Sequence, residues 1–146
     1  MAEDNVLHRL MELLADEESE VKEYVDLSLK ARDIRVRMAL KTIAEDTIVH
    51  YYVVKALIEA LREINVFRKR FNTTEGELSN EEIAKILLGH DKLESLVSAS
   101  YLDVIDKIDV GSVKAIIKAI ASEENKHEKL VELILKISGF KLRKKK

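Results

Sequence analysis

The sequence predicts an all-α protein, and more specifically a bundle of four helices. The chain has no proline and only four glycines among its 146 residues, so few positions would interrupt a helix. Alanine, leucine, lysine and glutamate, which are strong helix formers, dominate the composition. Apolar residues also recur at helical spacing along four long stretches. We therefore expect one domain over residues 1–140, with helices at about 4–32, 34–65, 80–108 and 112–138.

The composition indicates a globular domain and excludes several kinds of protein. Hydrophobic residues make up 47% of the chain and charged residues 36%, the balance of a chain that folds around one core. The absence of cysteine excludes disulfides, thiolate-bound metals such as a rubredoxin iron centre, and cysteine nucleophiles. The net charge of −2 argues against a large nucleic-acid surface. Abundant lysine, glutamate and isoleucine, with no glutamine or tryptophan, is typical of thermophile proteins.

The apolar runs and the two ends of the sequence give expectations about location. No apolar run reaches about 18 residues, so we expect no membrane span. The first four residues, 1–4, are partly acidic and do not resemble a signal peptide, so we expect a cytoplasmic protein. The basic tail of residues 141–146 is either a solvated end or a weak nucleic-acid contact.

Local signals set the expected boundaries of the helices. The mixed stretch 66–78 follows the apolar stripe of helix two, and we interpret it as a connection. Ser79, followed by acidic residues, is typical of a helix N-terminus. Helix three is expected to loosen at Gly89, and helix four to stop at Gly139.

The lengths of the connections predict the topology. Short links make helices one and two, and helices three and four, antiparallel hairpins. A helix of about 28 residues is about 42 Å long, and about 13 extended residues reach about 43–47 Å. The connection at 66–78 could therefore cross the whole bundle and leave helices two and three parallel. A plain up-down-up-down bundle with a loose loop is the alternative.

The two halves of the chain match without gaps at an offset of 77 residues. The matches include tyrosine and histidine, which are scarce in this sequence and are seldom aligned by chance in one frame. We interpret the halves as two related helical hairpins that face one another. The most informative pairs are Glu17 with Glu94, Tyr24 with Tyr101, and His50 with His127.

Polar residues interrupt the apolar stripes of all four helices near their middles. On helix four, for example, Ile117, Glu124 and Val131 share one seven-residue ladder, so Glu124 faces the expected core. Burying such carboxylates without compensation would cost on the order of several kcal/mol each. Metal ions would neutralise them, and carboxylate with imidazole suits iron or manganese. The inward-facing polar residues are Glu17, His50, Glu94, Glu124 and His127.

These residues resemble the metal-ligand pattern of rubrerythrin and its ferritin-like relatives. The resemblance rests on Glu17 and Glu94, each followed by a tyrosine seven residues later, on His50, and on Glu124-x-x-His127. The family takes one glutamate from each of two helices and Glu-x-x-His from each of the other two. The resemblance implies a ferritin-like bundle with a di-iron site, and therefore a non-haem iron oxidoreductase acting on peroxide, oxygen or ferrous iron.

The resemblance also implies roles for other residues and molecules. Tyr24 and Tyr101 would either pack in the core or bond to ligand carboxylates beside the metals. The enzyme would be a rubrerythrin-like peroxidase or ferroxidase, and a separate electron donor would have to reduce it. We expect one or two ions of iron or manganese, or none, in a homodimer or a larger homo-oligomer.

Helix two departs from the family pattern at Thr47, where the family has a glutamate that bridges the metals. Glu20, one turn after Glu17, could supply the missing ligand, and Asp46 could reach inward. Alternatively, the site holds a single ion or has been lost.

Interpretations without metal chemistry stay open. Buried glutamate and histidine can form a hydrogen-bonded polar layer, and the chain would then be a non-catalytic ferritin-like bundle used for binding or assembly. A DNA-shielding cage is a weaker alternative, because cage formers bind iron between subunits. His8 and His90 are expected at surface or loop positions.

Overall fold

The computed structural model describes residues 2–141 and is all-helical there. Helix accounts for 85% of the structure, in five helices and with no strand in the described range. The all-α prediction is confirmed. None of the described helices is both long enough and apolar enough to cross a membrane. The helices are α1 (Ala2–Lys30), α2 (Ile34–Thr73), α3 (Asn80–Leu87), α4 (His90–Ile105) and α5 (Gly111–Ile137).

The first compact unit, Met1–Thr74, is a helical hairpin made of α1 and α2. Asp33 caps the N-terminus of α2, because its side chain accepts a hydrogen bond from the backbone N–H of Arg35 at 2.8 Å. Far from this turn, Arg62 on α2 reaches the Met11 sulfur on α1 at 4.0 Å. The two helices are therefore antiparallel along most of α1.

The second compact unit, Glu75–Lys146, contains α3, α4 and α5, of which α4 and α5 form an antiparallel hairpin. The buried hydroxyl of Ser98 on α4 donates to the carbonyl of Ala121 on α5 at 3.0 Å and ties the two helices together. Helix α3 packs against α5. Its N-terminus is a capping box in which Ser79 and Glu82 satisfy each other's backbone N–H groups.

Helix α2 is longer than the sequence analysis predicted. It continues to Thr73, so the boundary near 65 is wrong, and only residues 74–79 separate α2 from α3. The stretch 66–73 lacks proline and glycine, and the hydroxyls of Thr73 and Thr74 bond to carbonyls of the last turn. The crossover of about 13 extended residues, on which the length argument depended, is therefore replaced by a helical segment and a short link.

The third predicted helix is divided into α3 and α4 at Leu88 and Gly89. Gly89 has φ of 90°, a left-handed conformation that glycine adopts without the strain a side chain brings. Helix α4 then ends at Ile105, three residues before the expected boundary. Of the basic tail, Lys141 is non-helical, and residues 142–146 lie outside the described range.

Part of the buried core follows the internal repeat. Ala44 on α2 and Ala121 on α5 are both buried and occupy matching positions at the 77-residue offset. Ile58 and Leu135 match in the same way, and both are buried as well. The equivalent turns of α2 and α5 therefore bury equivalent residues.

Candidate metal centre

Helix α5 contributes a glutamate and a histidine that lie one turn apart. The side chain of Glu124 is 17% exposed, and its Oε2 lies 3.3 Å from Nδ1 of His127. The three-residue spacing puts both groups on one side of α5. The predicted Glu-x-x-His pair is therefore formed as a local pair on one helix.

Helix α4 adds a third potential ligand from the opposite side of the hairpin. Glu94, 23% exposed, places Oε2 at 4.0 Å from Nδ1 of His127. One ligand atom from each of Glu94, Glu124 and His127 lies within 4.8 Å of the others. Because a metal ion holds oxygen and nitrogen ligands at about 2.0–2.2 Å, ligands on opposite sides of one ion are about 4.2 Å apart. Small side-chain rotations would fit this group to one ion.

The two carboxyl groups of this cluster titrate as partners. A hydrogen bond with Glu124, together with burial and repulsion from its charge, raises the pKa of the Glu94 carboxyl. The hydrogen bond from Glu94, and the neighbouring His127, lower the pKa of the Glu124 carboxyl. The pKa values of the two carboxyls are therefore shifted in opposite directions, as expected for two carboxyls in one site. A cation between them would relieve the repulsion.

The first hairpin carries a smaller version of the cluster. Oε1 of Glu17 on α1 lies 3.7 Å from Nδ1 of His50 on α2. The other carboxylate oxygen of Glu17, Oε2, is buried and has no hydrogen-bond partner. Burying a carboxylate oxygen without a partner is unfavourable. A cation or a hydrogen-bond donor beside Oε2 of Glu17 would remove this penalty.

Thr47 occupies the position that matches Glu124 and contributes no carboxylate. It is only 3% exposed, and its hydroxyl donates to the backbone carbonyl of Ile43, one turn earlier. A hydroxyl engaged in this way is directed along its own helix. Glu20 is exposed on α1, and Asp46 is half-buried on α2.

The five predicted ligands therefore form two groups, one in each hairpin. The three glutamates are half-buried, but His50 and His127 are exposed, so the prediction that both histidines point into the core is wrong. The prediction that both groups share one pocket stays a prediction. Tyr24 and Tyr101 are both half-buried, two turns after the glutamates of α1 and α4. Their predicted place beside a metal stays a prediction as well.

His90 is the residue near the cluster that the sequence analysis missed. It was expected at the surface or in a loop, but it is the half-buried first residue of α4. Its charge acts on Glu94, opposing the rise in the pKa of that carboxyl. The sequence signal was a histidine four residues before a glutamate, a spacing that puts both on one face of a helix.

Comparisons with known proteins found no similar protein. No protein-family model matches the chain, and neither a curated protein nor a solved structure shows significant similarity to it.

Proposed function

We propose that this chain is a metal-binding protein of the ferritin-like, rubrerythrin-related kind, and that iron is its metal. The observation that carries the proposal is the convergence of Glu94, Glu124 and His127 from two helices. The donor set fits the metal, because two carboxylates and an imidazole suit iron or manganese. A cation between Glu94 and Glu124 would also relieve the repulsion that contributes to the raised pKa of the Glu94 carboxyl.

The proposed reaction is the reduction of peroxide or oxygen, or the oxidation of ferrous iron. Iron held by the cluster would supply the electrons, and a separate donor would return them, because the chain has no cysteine for an electron-transfer centre. The protein's own part is to hold the ligands on two packed helices, so that little rearrangement is needed when metal binds. The carboxylates balance the charge of the ion in a partly buried position.

A second candidate is a non-catalytic ferritin-like bundle with an eroded site. The observation in its favour is Thr47, a buried residue whose hydroxyl is engaged with its own helix at the position that matches Glu124. Under this proposal the Glu17 and His50 pair is a remnant, and the bundle serves binding or assembly.

Metal analysis separates the two candidates. The full-length protein is loaded with ferrous iron without oxygen, desalted and analysed, beside Glu124→Gln and the control Glu123→Gln. Glu123 is the adjacent residue on α5, is exposed, and pairs with Lys126 at 2.6 Å, so its substitution tests the loss of a carboxylate away from the cluster. We expect about one ion per chain in the unmodified protein and in the control, and a loss of at least tenfold in occupancy for Glu124→Gln.

Peroxide consumption then tests the reaction. The iron-loaded protein should consume one peroxide for every two ferrous ions oxidised, and an added reductant should restore ferrous iron for further cycles. Metal-free protein from the same preparation, or metal that is bound but inert toward peroxide and oxygen, would favour the non-catalytic bundle. Equal iron content in Glu124→Gln and Glu123→Gln would refute the assignment of the cluster as the site.

A further inference from the structure

His90 lies one helical turn before Glu94, on the same side of α4. Residues four apart on a helix are neighbours, and their Cβ atoms are about 5–6 Å apart. Helical side chains tilt toward the N-terminus, so Glu94 leans back toward the level of His90. Both residues are half-buried, as expected for neighbours on one partly covered side of α4.

The break at Gly89 gives the His90 side chain freedom of movement. In the interior of a helix the preceding turn excludes one of the three χ1 rotamers. His90 is the first residue of α4, and Gly89, with φ of 90°, turns the chain away before it. No preceding turn of the same helix therefore blocks a rotation of the imidazole toward Glu94 and Glu124.

We propose that His90 is the fourth ligand of the metal site, so that α4 supplies a His-x-x-x-Glu pair and α5 a Glu-x-x-His pair. The inference rests on the proposed function of the cluster. Two histidines four apart on a helix are an established metal-binding arrangement, and His90 with Glu94 uses the same spacing. Two carboxylates and two imidazoles provide four ligands, and the two carboxylate charges balance a divalent ion. The second hairpin then holds one ion by itself.

The internal repeat explains why the first hairpin lacks an equivalent site. At the 77-residue offset, Leu13 stands in the place of His90, and Thr47 in the place of Glu124. Leu13 is an exposed apolar residue, and Thr47 is buried with its hydroxyl engaged. The first hairpin therefore retains Glu17 and His50 alone, two ligands of the four.

Metal binding by full-length variants tests the inference. Cobalt(II) is the probe, because it oxidises much less readily than ferrous iron and its visible absorption reports the number and type of its ligands. We compare the unmodified protein with His90→Leu, which installs the residue found in the first hairpin, and with His8→Leu, a change at an exposed histidine of α1. His90→Leu should weaken cobalt binding at least tenfold and alter the visible bands, whereas His8→Leu should do neither. His90→Phe, which retains a planar ring, serves the same purpose if His90→Leu lowers the helical circular dichroism signal.

A gain of binding provides the second test. The double change Leu13→His with Thr47→Glu gives the first hairpin the same four residue types, and it should raise cobalt stoichiometry from about one to about two per chain. A folded double variant that still binds one ion overturns the inference, as does unchanged affinity in His90→Leu or His90→Phe. If Glu124→Gln abolishes binding while both His90 variants bind normally, only the fourth ligand is wrong. If the unmodified protein binds no cobalt and no iron, the proposed function itself fails.

Discussion

Replacing Thr47 with glutamate should destabilise the metal-free protein and make its stability depend more strongly on metal. Thr47 is 3% exposed, so the new carboxylate would lie in a packed position, one turn before the His50 that contacts Glu17. Oε2 of Glu17 is already buried without a partner. An unsatisfied buried polar group costs about 1–3 kcal/mol, and overpacking adds about 1–3 kcal/mol. We expect Thr47→Glu to lower the free energy of unfolding by about 2–6 kcal/mol in the presence of a chelator.

Metal should recover much of this loss. A third ligand beside Glu17 and His50 creates a second binding event, weaker than that of the four-ligand set in the other hairpin. Binding to the native state alone stabilises it by about 2.7 kcal/mol when free metal is 100 times the dissociation constant. The stability gained between chelator and metal should therefore exceed the gain of the unmodified protein by up to about 2.7 kcal/mol.

Urea denaturation followed by circular dichroism, in chelator and in manganese(II), measures both effects. Thr42→Glu is the matched control, because Thr42 lies on the same helix and its hydroxyl bonds in the same way, to the Met38 carbonyl at 3.3 Å, but at an exposed position. The control should change stability by less than about 0.5 kcal/mol and show no extra metal dependence. An equal response of Thr42→Glu and Thr47→Glu to metal would refute the placement of Thr47 beside a ligand pair.

Three further results are expected. In metal-free protein the pKa of the Glu94 carboxyl is raised, so the native state binds a proton there more tightly than the unfolded chain does. The stability that this proton contributes is lost as pH rises from about 4.5 through the raised pKa. Glu94→Gln should remove that part of the dependence of stability on pH in urea melts. Leu135→Ala, at a side chain only 2% exposed, should lower the free energy of unfolding by about 2–5 kcal/mol. Leu133 is exposed, and an equally large loss in Leu133→Ala would contradict the described core. Gly89→Ala should lower the free energy of unfolding by about 1–2 kcal/mol because φ is 90°. Gly76→Ala, at a glycine without a positive φ, should be nearly neutral in the same urea melts.

The sequence predicted the class of structure and the members of the candidate cluster because both depend on local patterns. Helical spacing, the absence of proline and the Ser79 cap are properties of neighbouring residues. The stretches with helical spacing are helical in the structure, and Ser79 caps α3 as predicted. The pairing of Glu124 with His127 is likewise local, since it lies within one turn of α5.

The sequence analysis was wrong where local signals were weak. The stretch 66–73 has no clear apolar stripe, but it also has no helix breaker, so α2 continues through it to Thr73. Helix three was expected to be continuous with a loosened point, and Gly89 divides it because the chain there takes a left-handed turn that no pattern of apolar residues signals.

The sequence by itself determined that this protein is helical and that its halves repeat, and it selected Glu94, Glu124 and His127 as candidate ligands. Only the tertiary structure decided that α4 and α5 bring these three residues within 4.8 Å of one another, because the distance depends on the rotation and register of two packed helices. It also decided the different states of the matching residues Thr47 and Glu124. The Thr47 hydroxyl bonds within its own helix, whereas Glu124 is long enough to reach a carboxyl on the neighbouring one.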